Sequence, residues 1–351
     1  MDYSDLFSVP ESNKTNTDGF DLSNLSVSTH VVEHEPIIPE YQGDYAKAVF
    51  LWGHKKGSHE IGKDSFARYI VYECGIEEPI DFQKKMIEEG YLEEDSMAVA
   101  LESLSGEKLK NIATELNVAT SGRKSKVVER ILGAASMDYL NNICPRTCSI
   151  TEKGRSFVKE HDDYVQIHRH KVYGVDWEEY DSVKMQNPGF GFCETMEKIL
   201  LKRASEDEMY LGSGYYHFLS ELLYEYQKPA KATRYLLQRM YLELNGINKW
   251  RWLRNDVEYG YGDKNYFYDN FYIGEFFNRA EAEKLSQNRA FYSAEIVKKL
   301  YTWQLPIQIC EQSLFEEMIE AFFNGTFDEA RYESLIHDRY VKYVDTLKRK
   351  E

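Results

Sequence analysis

The chain has 351 residues, 42% hydrophobic and 14% aromatic, with 43 Lys and Arg against 59 Asp and Glu, a net charge of −16. That length predicts two or three domains with ample apolar material for packed cores. No apolar run approaches the roughly 18 residues a membrane helix needs, which excludes a membrane partner reached by a spanning helix.

The acidic start MDYSDLF does not have the form of a secretory leader. Five scattered cysteines, Cys74, Cys144, Cys148, Cys193 and Cys310, are few and odd in number. They predict a reduced, cytoplasmic protein rather than a disulfide framework. The charge is uneven. Residues 1–100 carry 8 cations against 20 acids, residues 101–160 carry 10 against 7, and residues 161–351 carry 25 against 32. Only the middle segment offers a polyanion any electrostatic footprint.

Residues 1–42 mix Ser, Asn, Thr and Asp with little periodicity and read as a flexible N-terminal arm. A first helix over 44–53 follows, with Tyr45, Val49, Phe50 and Leu51 on its apolar side, and then a polar connector, HKKGSHEIGKD. Residues 65–73 have helical period and stop at Gly75. Pro79 and Asp81 open another helix that runs over 82–89 and closes at Gly90 before Tyr91 and Leu92.

Residues 103–132 pair two amphipathic helical patterns. Leu109, Ile112, Ala113 and Leu116 face one way on the first, and Val127, Val128, Ile131 and Leu132 on the second. Between them lies Ser121-Gly122-Arg123-Lys124. Main-chain N–H groups at the second helix start would receive a phosphate beside Gly122, Arg123 and Lys124, and Lys108, Lys110, Lys126 and Arg130 would broaden the contact. Beyond it, residues 148–154 read as a strand and turn, and 155–161 as a helix.

The leucine-rich first helix, the small-Gly-basic-Lys turn and the Val-Val-Glu-Arg-Ile second helix resemble the SAP module. That resemblance implies a helix–extended–helix unit that binds DNA or, less often, RNA. The order helix, helix, helix, "EEGYLE", with "SITEKG" after the SAP-like stretch, resembles a winged-helix unit carrying the SAP-like module in its wing. The combination is similar to SAP-containing proteins of Gram-positive bacteria and their prophages. The helix over 81–89 is a poor base reader, since Gln83, Lys84 and Lys85 stand beside three acids.

The rest reads as helical, with spans at 194–205, 215–227, 230–245, 275–287, 293–304, 313–323 and 328–348. Pro229 fits a first turn and Gly246 a C-terminal cap. His168 and His170 alternate as on a strand. With His161 they lack the HExxH spacing of a metal pair, and Cys144 and Cys148 lack a second ligand pair, so neither metal nor cofactor is expected. Trp250 and Trp252, with Tyr266 and Tyr268 in the aromatic stretch over 259–272, form a candidate protein-binding surface.

No phosphate loop, GxSxG elbow or paired nuclease motif is present, which points away from an enzyme. The expected architecture is mostly α: an arm (1–42), a winged-helix-like unit with a SAP-like insertion (43–165), and a helical-bundle C-terminal domain (166–351). The leading expectation is a non-enzymatic nucleic-acid-associated protein of bacterial or phage origin. The alternative is an acidic interaction or inhibitor protein, such as a phage-encoded blocker of a host nucleic-acid-binding complex.

Overall fold

The computed structural model describes residues 37–249 and 271–347. Most of the arm read over 1–42 therefore lies outside the described residues, as do Trp250, Trp252, Tyr266 and Tyr268. The described chain is mostly α-helical, and none of its helices is long and apolar enough to cross a membrane.

Helix α1 (Gly43–Gly53) is central to the first core. Tyr45, Ala46, Ala48, Val49, Phe50 and Leu51 are all buried, an apolar surface too wide for a helix with one wet face. The connector after it is not merely polar. His59–Glu60 form strand β1, which the sequence reading missed because two residues carry no usable alternation. Helix α2 covers only Arg68–Tyr72, shorter than the expected 65–73. Ala67 stays extended at ψ 144°, so the helix cannot begin earlier.

Helix α3 (Pro79–Glu88) begins with proline in its first turn. It ends in a left-handed cap at Gly90 (φ +76°), where the Tyr91 amide donates to the Met86 carbonyl at 2.9 Å. Strand β2 (Leu92–Glu94) follows directly. Four helices then intervene: α4 (Met97–Ser103), α5 (Gly106–Glu115), α6 (Lys124–Ala134) and α7 (Met137–Ile143). Strand β3 (Thr147–Ile150) returns antiparallel to β2, with Leu92 opposite Ile150 and Glu94 opposite Cys148. It also pairs with β1, so the sheet order is β1-β3-β2.

The inserted helices thus leave and rejoin the body through two adjacent strands. Arg146 clamps that root, its Nε and Nη2 donating to the two Glu94 oxygens at 2.6 Å each, and the Asp95 amide donates to the Thr147 carbonyl at 2.8 Å.

Of the strand and turn expected over 148–154, the strand is present as β3, and the turn is in fact a helix start. Thr151 caps α8 (Glu152–Glu160) by accepting from the Gly154 amide at 3.1 Å, while its hydroxyl donates to the Gly90 and Tyr91 carbonyls. Gly154 is needed for close approach: a Cβ there would stand 2.4 Å from the Tyr91 oxygen and 2.7 Å from Ile150 Cγ1.

His168 and His170 do not alternate on a strand. His168 sits in α9 (Asp162–Arg169) and His170 ends it. They reach separate partners, His168 bonding Glu73 at 2.9 Å and His170 bonding Glu225 at 2.8 Å.

Helices α10 (Trp177–Gln186), α11 (Phe192–Glu206), α12 (Ser213–Glu225) and α13 (Pro229–Leu244) follow. The expected span over 275–287 is broken. Residues Ile273–Glu275 make a 3-10 turn, and the Asn278 side chain accepts from the Ala280 and Glu281 amides to start α14 (Arg279–Gln287) afresh. Helices α15 (Ala294–Leu300), α16 (Gln312–Phe323) and α17 (Glu329–Thr346) complete the chain.

Buried apolar residues form three clusters. The first joins α1, α3 and the sheet to α8–α12 and reaches Ala232. The second begins at Leu236 on the same helix, α13, and runs to Val344. The third is confined to the insertion, from Leu101 to Cys144. Residues on both sides of 165/166 share one core because α9, on which that position falls, packs on α1.

Candidate nucleic-acid interface

The inserted hairpin is shaped by its own small core. Leu109, Ile112 and Ala113 of α5 meet Val127, Val128 and Ile131 of α6, all buried. Ser105 caps α5 by accepting from the Lys108 amide at 3.3 Å. The helix ends on Asn117 in the left-handed region (φ +53°), with the Val118 amide donating to the Ala113 carbonyl at 2.9 Å and the Asn117 amide to the Thr114 carbonyl at 3.0 Å. Asparagine tolerates this conformation better than other side-chain-bearing residues.

An extended connector then leads to α6. Gly122 lies at φ +111°, a conformation L side chains rarely adopt. Arg130 reaches back from α6 and donates through Nη1 to the Ala119 carbonyl at 2.6 Å and the Ser121 carbonyl at 2.8 Å. Its guanidinium therefore fixes the connector, and the phosphate contact expected of it is secondary to that positioning work.

At the start of α6, Arg123 occupies the cap position without a side-chain cap bond. Its carbonyl accepts from the Lys126 and Val127 amides at 2.9 and 3.2 Å. The amides of Lys124 and Ser125 find no acceptor among the described residues. Lys108, Lys110, Arg123 and Lys124 are exposed, and no ion pair among the described residues engages them. Lys126 is compromised, since Glu129 takes its ammonium at 2.7 Å. The six cations proposed from sequence thus divide into four free ones, one paired and one structural arginine, with Gly122 shaping the turn between them. Trp250, Trp252, Tyr266 and Tyr268 lie outside the described residues.

Helix α3 offers no comparable set. Gln83 is fully buried, its amide donating to the Glu60 carbonyl and Cys148 Sγ at 3.4 Å each while its oxygen accepts from the Gly62 amide at 3.3 Å. Lys84 pairs with Asp81 at 2.8 Å, and Glu89 neutralises Lys85 at 3.9 Å and Lys47 at 3.2 Å.

Two polar clusters were invisible in sequence. Glu73 accepts from Tyr45, His168 and Lys171, the last two 95 and 98 residues away. Burial would raise its carboxyl, but the bonds from His168, Lys171 and Tyr45 outweigh that and hold it at about 2. Tyr45, Glu73 and Lys171 border a cleft of about 450 Å³ beside Trp177. The second cluster lies around Arg239, which donates to Glu281 at 2.5 Å and to Glu243 at 3.3 Å. Burial raises Glu243, while Glu281, also pushed up by burial, is brought down by His217 and Arg239. No sequence periodicity signals either cluster, because each forms only when distant helices pack.

The five cysteines are free and buried, and among the described residues no group of three or more His, Cys, Asp or Glu is arranged to hold a metal. No family model matches the chain, and no curated protein matches it.

Proposed function

We propose that the chain is a non-enzymatic nucleic-acid-associated protein of bacterial or phage origin, acting in the cytoplasm. Its SAP-like hairpin holds a phosphate backbone, preferably DNA, and its C-terminal helices recruit a protein partner. The carrying observation is the set of four exposed cations, Lys108, Lys110, Arg123 and Lys124, beside an α6 first turn whose leading amides have no acceptor among the described residues.

The order α1, β1, α2, α3, β2, β3 with sheet order β1-β3-β2 supports reading residues 43–165 as a winged-helix-like unit, with the SAP-like hairpin as an enlarged wing. In that reading the wing makes the contact and α3, with its cations neutralised, reads no bases. Binding is weak and salt-sensitive, because the chain's net charge of −16 opposes a polyanion everywhere else. A mobility-shift titration at low salt tests it: wild type retards duplex DNA and Arg123→Glu/Lys124→Glu does not. Equal retardation by both, or by neither, rejects the reading.

The paired cations of α3 favour one competing account, an acidic protein that blocks a nucleic-acid-binding complex by presenting its negative surface. That account predicts a stable complex with a basic partner that survives Arg123→Glu/Lys124→Glu.

A further inference from the structure

Two clefts meet at Gly174, and no residue lining either belongs to the insertion. One, of about 640 Å³, has the loop between α11 and α12 as its far wall; the other is the cleft of about 450 Å³ beside Trp177. Residues of the 3-10 turn Lys171–Tyr173 border both. That turn is held in place from beneath. The Tyr173 ring is buried against Phe218, with ring centres 5.0 Å apart. Arg203 donates through Nη1 to the Gly174 carbonyl at 3.1 Å and the Tyr173 carbonyl at 3.5 Å, and Glu179 holds its guanidinium. Val172 is left 71% exposed on this fixed backbone.

The far wall is equally fixed. Asp207 accepts from the Met209 and Tyr210 amides at 3.0 Å each and from the Gly212 amide at 3.2 Å. Leu211 is held at φ +50°, a conformation that a side-chain-bearing residue keeps only when its surroundings enforce it. The loop so built exposes Met209 and Tyr210 at the cleft. In the smaller cleft the Trp177 indole N–H donates to Gln42 Oε1 at 2.8 Å, which fixes that ring, and Tyr72 is exposed beside it. Single exposed apolar side chains are ordinary on a protein surface. Four of them bordering two adjoining clefts, on a backbone already ordered, mark an interaction surface.

Charge selects the occupant. Five acids line the two clefts against two cations, and both cations are committed, Lys171 to Glu73 and Arg203 to Glu179. Asp176 and Glu178 are exposed and have no ion pair among the described residues. Glu206 meets only Lys202, at 3.9 Å in solvent. Such a face repels nucleic acid, an anionic lipid surface and a second copy of itself. We propose that it docks a basic segment of a protein partner. A large apolar side chain of that segment fills the 640 Å³ cleft beside Val172, and a lysine or arginine enters the smaller cleft against Trp177 and the Asp176 and Glu178 carboxylates. This rests on the reading that the chain recruits a protein, and it supplies the chemistry of what is recruited.

The test pans the full chain against random peptides displayed on phage, then measures a labelled synthetic copy of the commonest binder by fluorescence anisotropy. The expected binders carry a large apolar residue within a few positions of a lysine or arginine. Val172→Asp and Glu178→Lys each weaken the peptide by about fivefold or more, the effect of losing one contact of hot-spot size. Both side chains are exposed, so circular dichroism should show the fold unchanged. Arg123→Glu/Lys124→Glu binds the peptide as wild type does, and Val172→Asp retards duplex DNA as wild type does. Binders that are acidic, or that ignore both Val172→Asp and Glu178→Lys, overturn the proposal; in the second case recruitment stands and the docking face lies elsewhere. No enrichment at all overturns the proposal together with the recruitment it rests on.

Discussion

Neutralising two of the four free cations gives a quantitative test of the interface, because phosphate binding reports through counterion release. Lys108, Lys110, Arg123 and Lys124 have no acidic partner among the described residues, whereas Lys126 is held by Glu129 and Arg130 by two carbonyls. If each free cation takes one phosphate, log K against log salt has a slope of about −3.6 on duplex DNA, at roughly −0.9 per contact. Arg123→Ala/Lys124→Ala halves that to about −1.8 by the same count. Lys126→Ala leaves the slope near its wild-type value, because its charge is already matched. Fluorescence anisotropy of a labelled duplex, titrated over a range of salt concentrations, measures all three. A slope unaffected by Arg123→Ala/Lys124→Ala, or a Lys126→Ala effect as large as theirs, refutes the partition of cations drawn from the structure.

Three other outcomes follow from particular contacts. Arg130→Ala removes the Nη1 atom that serves both connector carbonyls; the loss is about 1–2 kcal/mol, since bonds from charged donors are worth about 1.5–3 and less at a half-exposed site. It appears as faster tryptic cleavage at Arg123 and Lys124, and unchanged cleavage argues against the clamp. Gly154→Ala drives a methyl to within 2.4 Å of the Tyr91 oxygen and costs about 1–3 kcal/mol in a urea melt. A neutral result means that α8 can move off β2.

The acid response has two stages. The lowered His54 contributes stability that is complete above about pH 6.5 and is lost as pH falls toward 4, because the unfolded chain binds the proton first. The lowered Glu73 contributes stability that is complete above about pH 4.5 and is lost as pH falls toward 2. Melting temperature against pH for Glu73→Gln should flatten in the lower window alone. Flattening in the upper window instead contradicts the assignment.

Much of the local structure is legible in sequence because it depends on neighbours three or four residues apart. Pro79 and Pro229 stand in first turns, and Gly90 and Gly246 take positive φ at helix ends, as their chemistry requires. The hairpin over 103–132 shows its two apolar faces in the order of its residues, and the structure buries those faces in a separate core. Strand β1 was illegible, since two residues have no period, and so was the break at Asn278, where one side chain restarts a helix.

The site was only half legible. Sequence alone located the basic turn, yet could not tell Lys126, spent on Glu129, or Arg130, spent on the connector, from the cations that remain free. Gln83 read as a feeble base contact and is a buried support beneath the sheet. Such distinctions depend on where each side chain's hydrogen bonds end.

By itself, then, the sequence determined that the chain is predominantly helical, where its helices cap, and where its positive charge concentrates, because each depends on local spacing and composition. Tertiary structure decided which distant strands close the insertion root, which cations are neutralised, and which buried groups meet. Glu73 with His168, Arg239 with Glu281 and Gln83 with Cys148 are pairs 95, 42 and 65 residues apart. Charge, burial and hydrogen bonding act through space, and only folding makes those residues neighbours.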